Sequence, residues 1–320
     1  MYCPYLYARG SELLALRDLV AKKIDVSTLL PIIEPVKGNT TSLVKCLETW
    51  GNAHAKNSAI VICNPSQIDF HTEPRNVDIL NGEISSVFLK YPSLIKGVLV
   101  NAGHTKSQID SLINGLQGNR IALLYNNPTI SDHDFGLLMA DLRIDYHVVL
   151  NNKVSSMQHS LIPISKFINI NDNFNKLGRN ADYSVPEPFS DEYKKIGTSF
   201  IGVGDYTITG RVLELGGGQP SAVAAHLIYK HPANSNIWIE HFVSNDITRG
   251  SSDVATKFLQ VAKKIVTQAS ARKTEFGYNI GLQYYNNAHV NSYFPGLPKN
   301  KEYQMIHHMC LMMDVISGRL

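Results

Sequence analysis

The chain is poor in the residues that announce most catalytic chemistries. Its 320 residues include only four cysteines, Cys3, Cys46, Cys63 and Cys310, and no two of them form a CxxC pair. That removes support for a zinc ribbon or a dithiol redox motif, and buried free thiols in a reducing compartment are the expectation. Charge of one sign is also scarce: 30 Lys and Arg stand against 27 Asp and Glu, a formal net charge of +3. The short basic pairs Lys22-Lys23, Lys194-Lys195 and Lys263-Lys264 fall where solvated helix faces are expected. Nucleic-acid binding through a clustered basic patch is therefore disfavoured.

No apolar run is long enough to cross a bilayer. The start, Met1-Tyr2-Cys3-Pro4-Tyr5, has neither the basic nor the apolar region of a signal peptide. A soluble, cytoplasmic protein with no membrane partner is expected. GxSxG is missing, and no Cys/His nucleophile pair stands out. The turn after the first apolar run, Ala8-Arg9-Gly10-Ser11-Glu12, is not GxGxxG. Gly216-Gly217-Gly218 lacks the Lys-Ser/Thr of a phosphate-binding P-loop and reads as a hinge or turn.

What the chain does have is alternation. Short apolar runs at 5–7, 29–36, 59–63, 97–100, 121–125, 146–150, 167–170 and 200–203 are mostly separated by amphipathic stretches at 11–23, 41–56, 77–90, 107–116, 131–142 and 154–161. Continuous apolar strands linked by helices predict a parallel sheet covered on both faces. About eight such units favour an α/β fold closed as a (β/α)8 TIM-like barrel over an open doubly wound α/β sheet. The barrel is expected over 1–215. Residues 216–320 are expected as a C-terminal decoration without independence: a hairpin at 222–229 and 237–243, a helix at 253–268 and a Met-rich helix at 302–316. Residues 172–198 are polar, carry Pro186 and Pro188, and read as a long functional loop.

In such a barrel the strand exits converge on one mouth. Glu34, Asn64, Asn101, Asn126, Asn151, Asp172 and Asp205-Tyr206 occupy those exits. For each Asn, turn formation or helix capping is the competing role. Glu34 stands inside Pro31-Ile32-Ile33-Glu34-Pro35-Val36, where a carboxylate needs a partner or a ligand. Arg9 and Lys37 are its candidate partners, and also candidates to bind the anionic part of a ligand. Gly204 beside Asp205 suggests close approach of backbone to ligand. The expected centre is thus Glu34 and Asp205, as an acid/base pair or as joint ligands of Mg²⁺.

The blocks Tyr2-Cys3-Pro4-Tyr5-Leu6, Glu12-Leu13-Leu14-Ala15-Leu16-Arg17, Leu30-Pro31-Ile32-Ile33-Glu34-Pro35-Val36-Lys37, Arg179-Asn180-Ala181-Asp182-Tyr183, Gly204-Asp205-Tyr206, Ile239-Glu240-His241-Phe242-Val243-Ser244 and Phe294-Pro295-Gly296-Leu297 span nearly the whole chain. They resemble an "sce"-type family of hypothetical bacterial proteins, which itself looks like a distant relative of the phage-type "beta protein" family. In the latter a Gly-Glu step precedes Ala-Leu. Here Ser11 interrupts it, between Gly10 and Glu12. The resemblance implies a role in bacterial defence and brings Glu12, Arg179 and Asp182 forward as ligand-binding residues, the last two on a loop folding over the mouth. Two functions follow as expectations. One is binding, with possible hydrolysis or transfer, of a small anionic molecule of phosphorylated or nucleotide-like kind. The other is a non-catalytic sensor or immunity component that meets a protein partner through the hairpin and the Met-rich tail.

Overall fold

The computed structural model describes residues 1–53, 58–116, 120–213 and 220–320; Gly216-Gly217-Gly218 lies outside them. The described chain divides into two compact units, Met1–Asp172 with Glu192–Tyr206, and Asn173–Asp191 with Thr207–Leu320. The division differs from a single boundary at 215, because residues 173–191 group with the C-terminal part.

The first unit is the expected barrel. Its strands are β1 (Tyr5–Leu6), β2 (Ile32–Ile33), β3 (Ala59–Ile62), β4 (Leu94–Asn101), β5 (Ile121–Asn126), β6 (Ile144–Leu150) and β7 (Phe167–Asn171). After β8 (Glu187–Ser190), which belongs to the other unit, β9 (Gly202–Asp205) completes the barrel. All neighbours in the order β1-β2-β3-β4-β5-β6-β7-β9 are parallel. The sheet closes where Tyr2 bridges Val203: Cys3 N–H donates to Val203 O at 2.8 Å and Val203 N–H to Met1 O at 3.1 Å. Closure removes free edges.

Between the strands run α1 (Gly10–Ala21), α2 (Thr41–Ala53), a short α3 (Asp69–Thr72), α4 (Asn76–Lys90), α5 (Lys106–Gly115), α6 (Asp132–Met139) and α7 (Ser156–Leu161). Three start where the sequence offers a hydroxyl cap: Thr105, Ser131 and Ser155 each accept from a backbone N–H three residues on. α1 begins earlier than Ser11 suggests. Arg9 is its N-cap residue, and the Arg9 N–H donates to the Glu12 carboxylate at 2.8 Å.

The second unit holds the predicted hairpin, β10 (Ala224–Lys230) and β11 (Ile237–Val243), with β8 antiparallel to β11. β8 went unread because Pro186 and Pro188 argue against a strand, yet prolines are tolerated on an edge. One face of this sheet packs Ala225, Leu227, Tyr229 and Phe242 into a core with α8 (Val254–Ala271), α9 (Lys273–Phe276) and α10 (Ile280–Val290). α9 and α10 were missed.

The Met-rich helix, α11 (Leu297–Ile316), is not an exposed partner surface. Met305, Met309, Met312 and Met313 are all buried. Its polar residues cover the outer edge of β10: Asn300 Nδ2 donates to Ala224 O at 3.0 Å, His226 N–H donates to Gln304 Oε1 at 2.8 Å, and His307 Nε2 meets Ile228 O at 2.8 Å. Spacing of four then three along a helix matches every second residue of the strand. Gln304→Leu should cost about 2 kcal/mol, because it strands the buried His226 N–H without an acceptor. Urea unfolding measures the cost, and hydrogen exchange at the His226 amide should accelerate; unchanged exchange would count against the edge-covering role.

Candidate functional site

The inner face of the barrel can be assigned step by step. Tyr125 packs on Phe135 of α6, ring centroids 4.7 Å apart, so it faces outward and Leu124 and Asn126 face inward. A Cβ on Gly97 would lie 3.2 Å from Leu124 Cδ1 and 3.1 Å from Ile60 Cγ2, which puts Gly97 and Ile60 on the inner face. Ile60 is level with Ile32, and Ile32 with Tyr5. Tyr5 therefore points inward. Its ring meets Tyr7 at 5.5 Å and Tyr206 at 4.9 Å.

Glu34, two residues beyond Ile32, shares this face. It is fully buried; Oε2 accepts from Tyr5 Oη at 2.6 Å and from Gln67 Nε2 at 2.8 Å, while Oε1 has no hydrogen-bond partner among the described residues. Burial raises its pKa to about 7 against the pull of those two bonds. Neither Arg9 nor Lys37 forms an ion pair with it. Lys37 lies 3.6 Å from Asp69 instead, with both side chains exposed, and the Arg9 side chain has no partner among the described residues. A carboxyl buried beside a hydroxyl and an amide, without a cation, is poised to gain or lose a proton near pH 7.

Around Glu34 the mouth collects several of the expected residues. The Tyr7 hydroxyl is pushed far up by burial and then by Tyr206, Glu34, Glu12 and Asp172, so all four lie within electrostatic reach of it. Asn151 links two strand exits: Nδ2 donates to Tyr206 Oη at 3.1 Å and Oδ1 accepts from Asp172 N–H at 2.8 Å. It does so from a left-handed backbone, φ 55°, so it is turn residue and network member at once. Asn126 Nδ2 donates to Asn101 Oδ1 at 2.8 Å. Asn64 is committed to structure: both ends of its amide bond the backbone of Leu99, at 2.8 and 2.9 Å.

Asp205 is a correction. The ladder Leu30 N–H to Tyr2 O, Ile32 N–H to Pro4 O and Glu34 N–H to Leu6 O makes residues 2–6 one extended strand. Tyr2 and Tyr5, three apart, thus face opposite sides of the sheet. Tyr2 Oη donates to Asp205 Oδ1 at 2.9 Å, whereas Tyr5 serves Glu34. Tyr206 faces in, so its neighbour Asp205 faces out. The two carboxylates can form neither an acid/base pair nor a shared Mg²⁺ site. Among the described residues no group of three or more His, Cys, Asp or Glu could hold a metal ion.

Arg179 and Asp182 belong to the second unit, where they bond each other at 2.7 Å on the surface. Sequence reasoning missed Tyr5 and Tyr7, although two tyrosines at strand spacing beside an arginine were a readable signal. No helix of the described chain is long and apolar enough to cross a membrane. No family model matches the chain, and no curated protein matches it.

Proposed function

We propose that the barrel mouth binds a small polar molecule and that Glu34 exchanges a proton with it. The observation carrying this reading is the buried Glu34 carboxyl, raised to about 7, with one oxygen left unbonded. A group that titrates at working pH can both donate and accept a proton. The hydroxyls of Tyr5, Tyr7 and Tyr206 suit a ligand rich in hydroxyl or amide groups. Of the expected anion-binding cations only Arg9 stands unpaired at this end, so one anionic group, such as a phosphate or carboxylate, is the most the mouth accommodates. Glu12 and Asp172 oppose a larger negative charge.

Native mass spectrometry of freshly purified protein tests the reading. A co-purifying small molecule is expected on the wild type, diminished in Glu34→Gln and Arg9→Ala, and retained in Asp205→Asn, whose side chain faces away from the mouth. Loss in Asp205→Asn alone, or no bound species in any protein, would overturn it.

A further inference from the structure

Beyond the barrel, the second unit carries a groove of about 740 Å³ along β11, between Ala181–Ser184 and helix α8. We infer that this groove binds an extended acidic peptide by strand addition to the free edge of β11.

The argument starts from register. His231 N–H donates to Asn236 O and Ser244 N–H to Val223 O, which fixes the alternation of the β10–β11 ladder. Phe242 and Glu240 bond β10, while Ile237, Ile239, His241 and Val243 turn their backbone groups to the other side. β8 pairs with β11 only from Ile237 to Ile239. The ladder stops there: Val185, which would face His241 in this register, lies outside the strand and is exposed. His241 N–H and C=O and Val243 N–H therefore look into the groove without a strand partner among the described residues. Val243 O is taken by Lys264 Nζ at 2.6 Å.

Charge selects the occupant. Lys263 and Lys264 line the groove from α8, and neither has a carboxylate within ion-pair distance among the described residues. The one acidic lining residue, Glu240, is neutralised by Arg272 at 2.5 Å. The two lysines leave the lining with a positive balance, and Ile247 supplies exposed apolar surface beside the nearly buried rings of Phe242 and Tyr183. A strand alternating acidic and apolar side chains matches all three features: backbone donors and acceptor, basic wall and apolar floor.

Fluorescence anisotropy with a labelled pentapeptide of alternating glutamate and valine tests this on the full chain. Binding is expected, weakened about tenfold by Lys263→Glu, an exposed position, and by a twin peptide with glutamine for glutamate. N-methylation of alternate peptide nitrogens should abolish it in one of the two registers. Bound peptide should slow amide exchange at His241 and Val243. The inference fails if the glutamate peptide does not bind, if both N-methylated registers bind as well as the parent, or if exchange at His241 and Val243 is unchanged.

Discussion

Gly204→Ala is expected to destabilise the barrel by about 4 kcal/mol or more, because an added methyl group would make a closer contact there than at any other described glycine. A Cβ at Gly204 would lie 1.8 Å from the Cys3 carbonyl oxygen, 2.6 Å from the Cys3 carbonyl carbon and 2.6 Å from Ile170 Cδ1. The first two are backbone atoms and cannot rotate away. Relief requires β1 to withdraw from β9 at the seam where the barrel closes. That withdrawal breaks the Cys3 N–H to Val203 O and Val203 N–H to Met1 O bonds, and with them the hydrogen bond from the N-terminal ammonium to Ile201 O at 2.9 Å. Gly202→Ala is the graded control. Its Cβ would meet Cys3 Sγ, Met1 Cγ and Ile168 Cγ1 at 3.1–3.2 Å, all side-chain atoms, so a cost below about 2 kcal/mol is expected. Urea unfolding of both variants makes the comparison. Equal costs, or a Gly204→Ala cost below about 1 kcal/mol, would show that the seam has room for a methyl group.

The same glycine shows what could and could not be read ahead of the structure. The barrel was legible because apolar runs recur with helices between them, a pattern that needs no knowledge of neighbours. The role of Gly204 was not. It looked like room for a ligand, whereas the close approach is to the backbone of Cys3 across the seam, and sequence does not say which strand closes on which. Asp205 failed for the same reason. Its position at a strand exit was right, but facing in or out depends on a parity set by the pairing of Tyr5 with Ile32 and of Ile32 with Ile60. Glu34 was readable because its anomaly is local, a carboxyl inside an apolar run. The second unit misled in the opposite direction. A Met-rich helix looked like a surface awaiting a partner, while Asn300, Gln304 and His307, spaced to meet alternate residues of β10, were the sign that it has one within the chain.

Glu34→Gln should make the barrel more stable at pH 8 and leave it nearly unchanged at pH 5. The sign follows from proton counts. The carboxyl has an ordinary value of 4.5 and titrates at about 7 when folded. Between those two values the folded chain binds more protons than the unfolded one, so stability falls as pH rises through this window and levels off above it. The full loss corresponds to about 3 kcal/mol by linkage. Glutamine reproduces the protonated acid: its oxygen can accept from Tyr5 and Gln67 as Oε2 does now, and its amide fills the place of the unbonded Oε1. It never ionises, so the slope between pH 5 and 7 should flatten, with a gain at pH 8 of about 1–3 kcal/mol, reduced if the amide finds no acceptor. Urea denaturation at pH 5, 6, 7 and 8 reads this directly. Parallel pH profiles for wild type and variant would mean that Glu34 titrates as an ordinary solvated carboxylate, and the case for proton exchange at the mouth would go with it. A gain confined to high pH would mean the chain tolerates a costly charge at one strand exit, the pattern expected where a residue is kept for chemistry at the expense of stability.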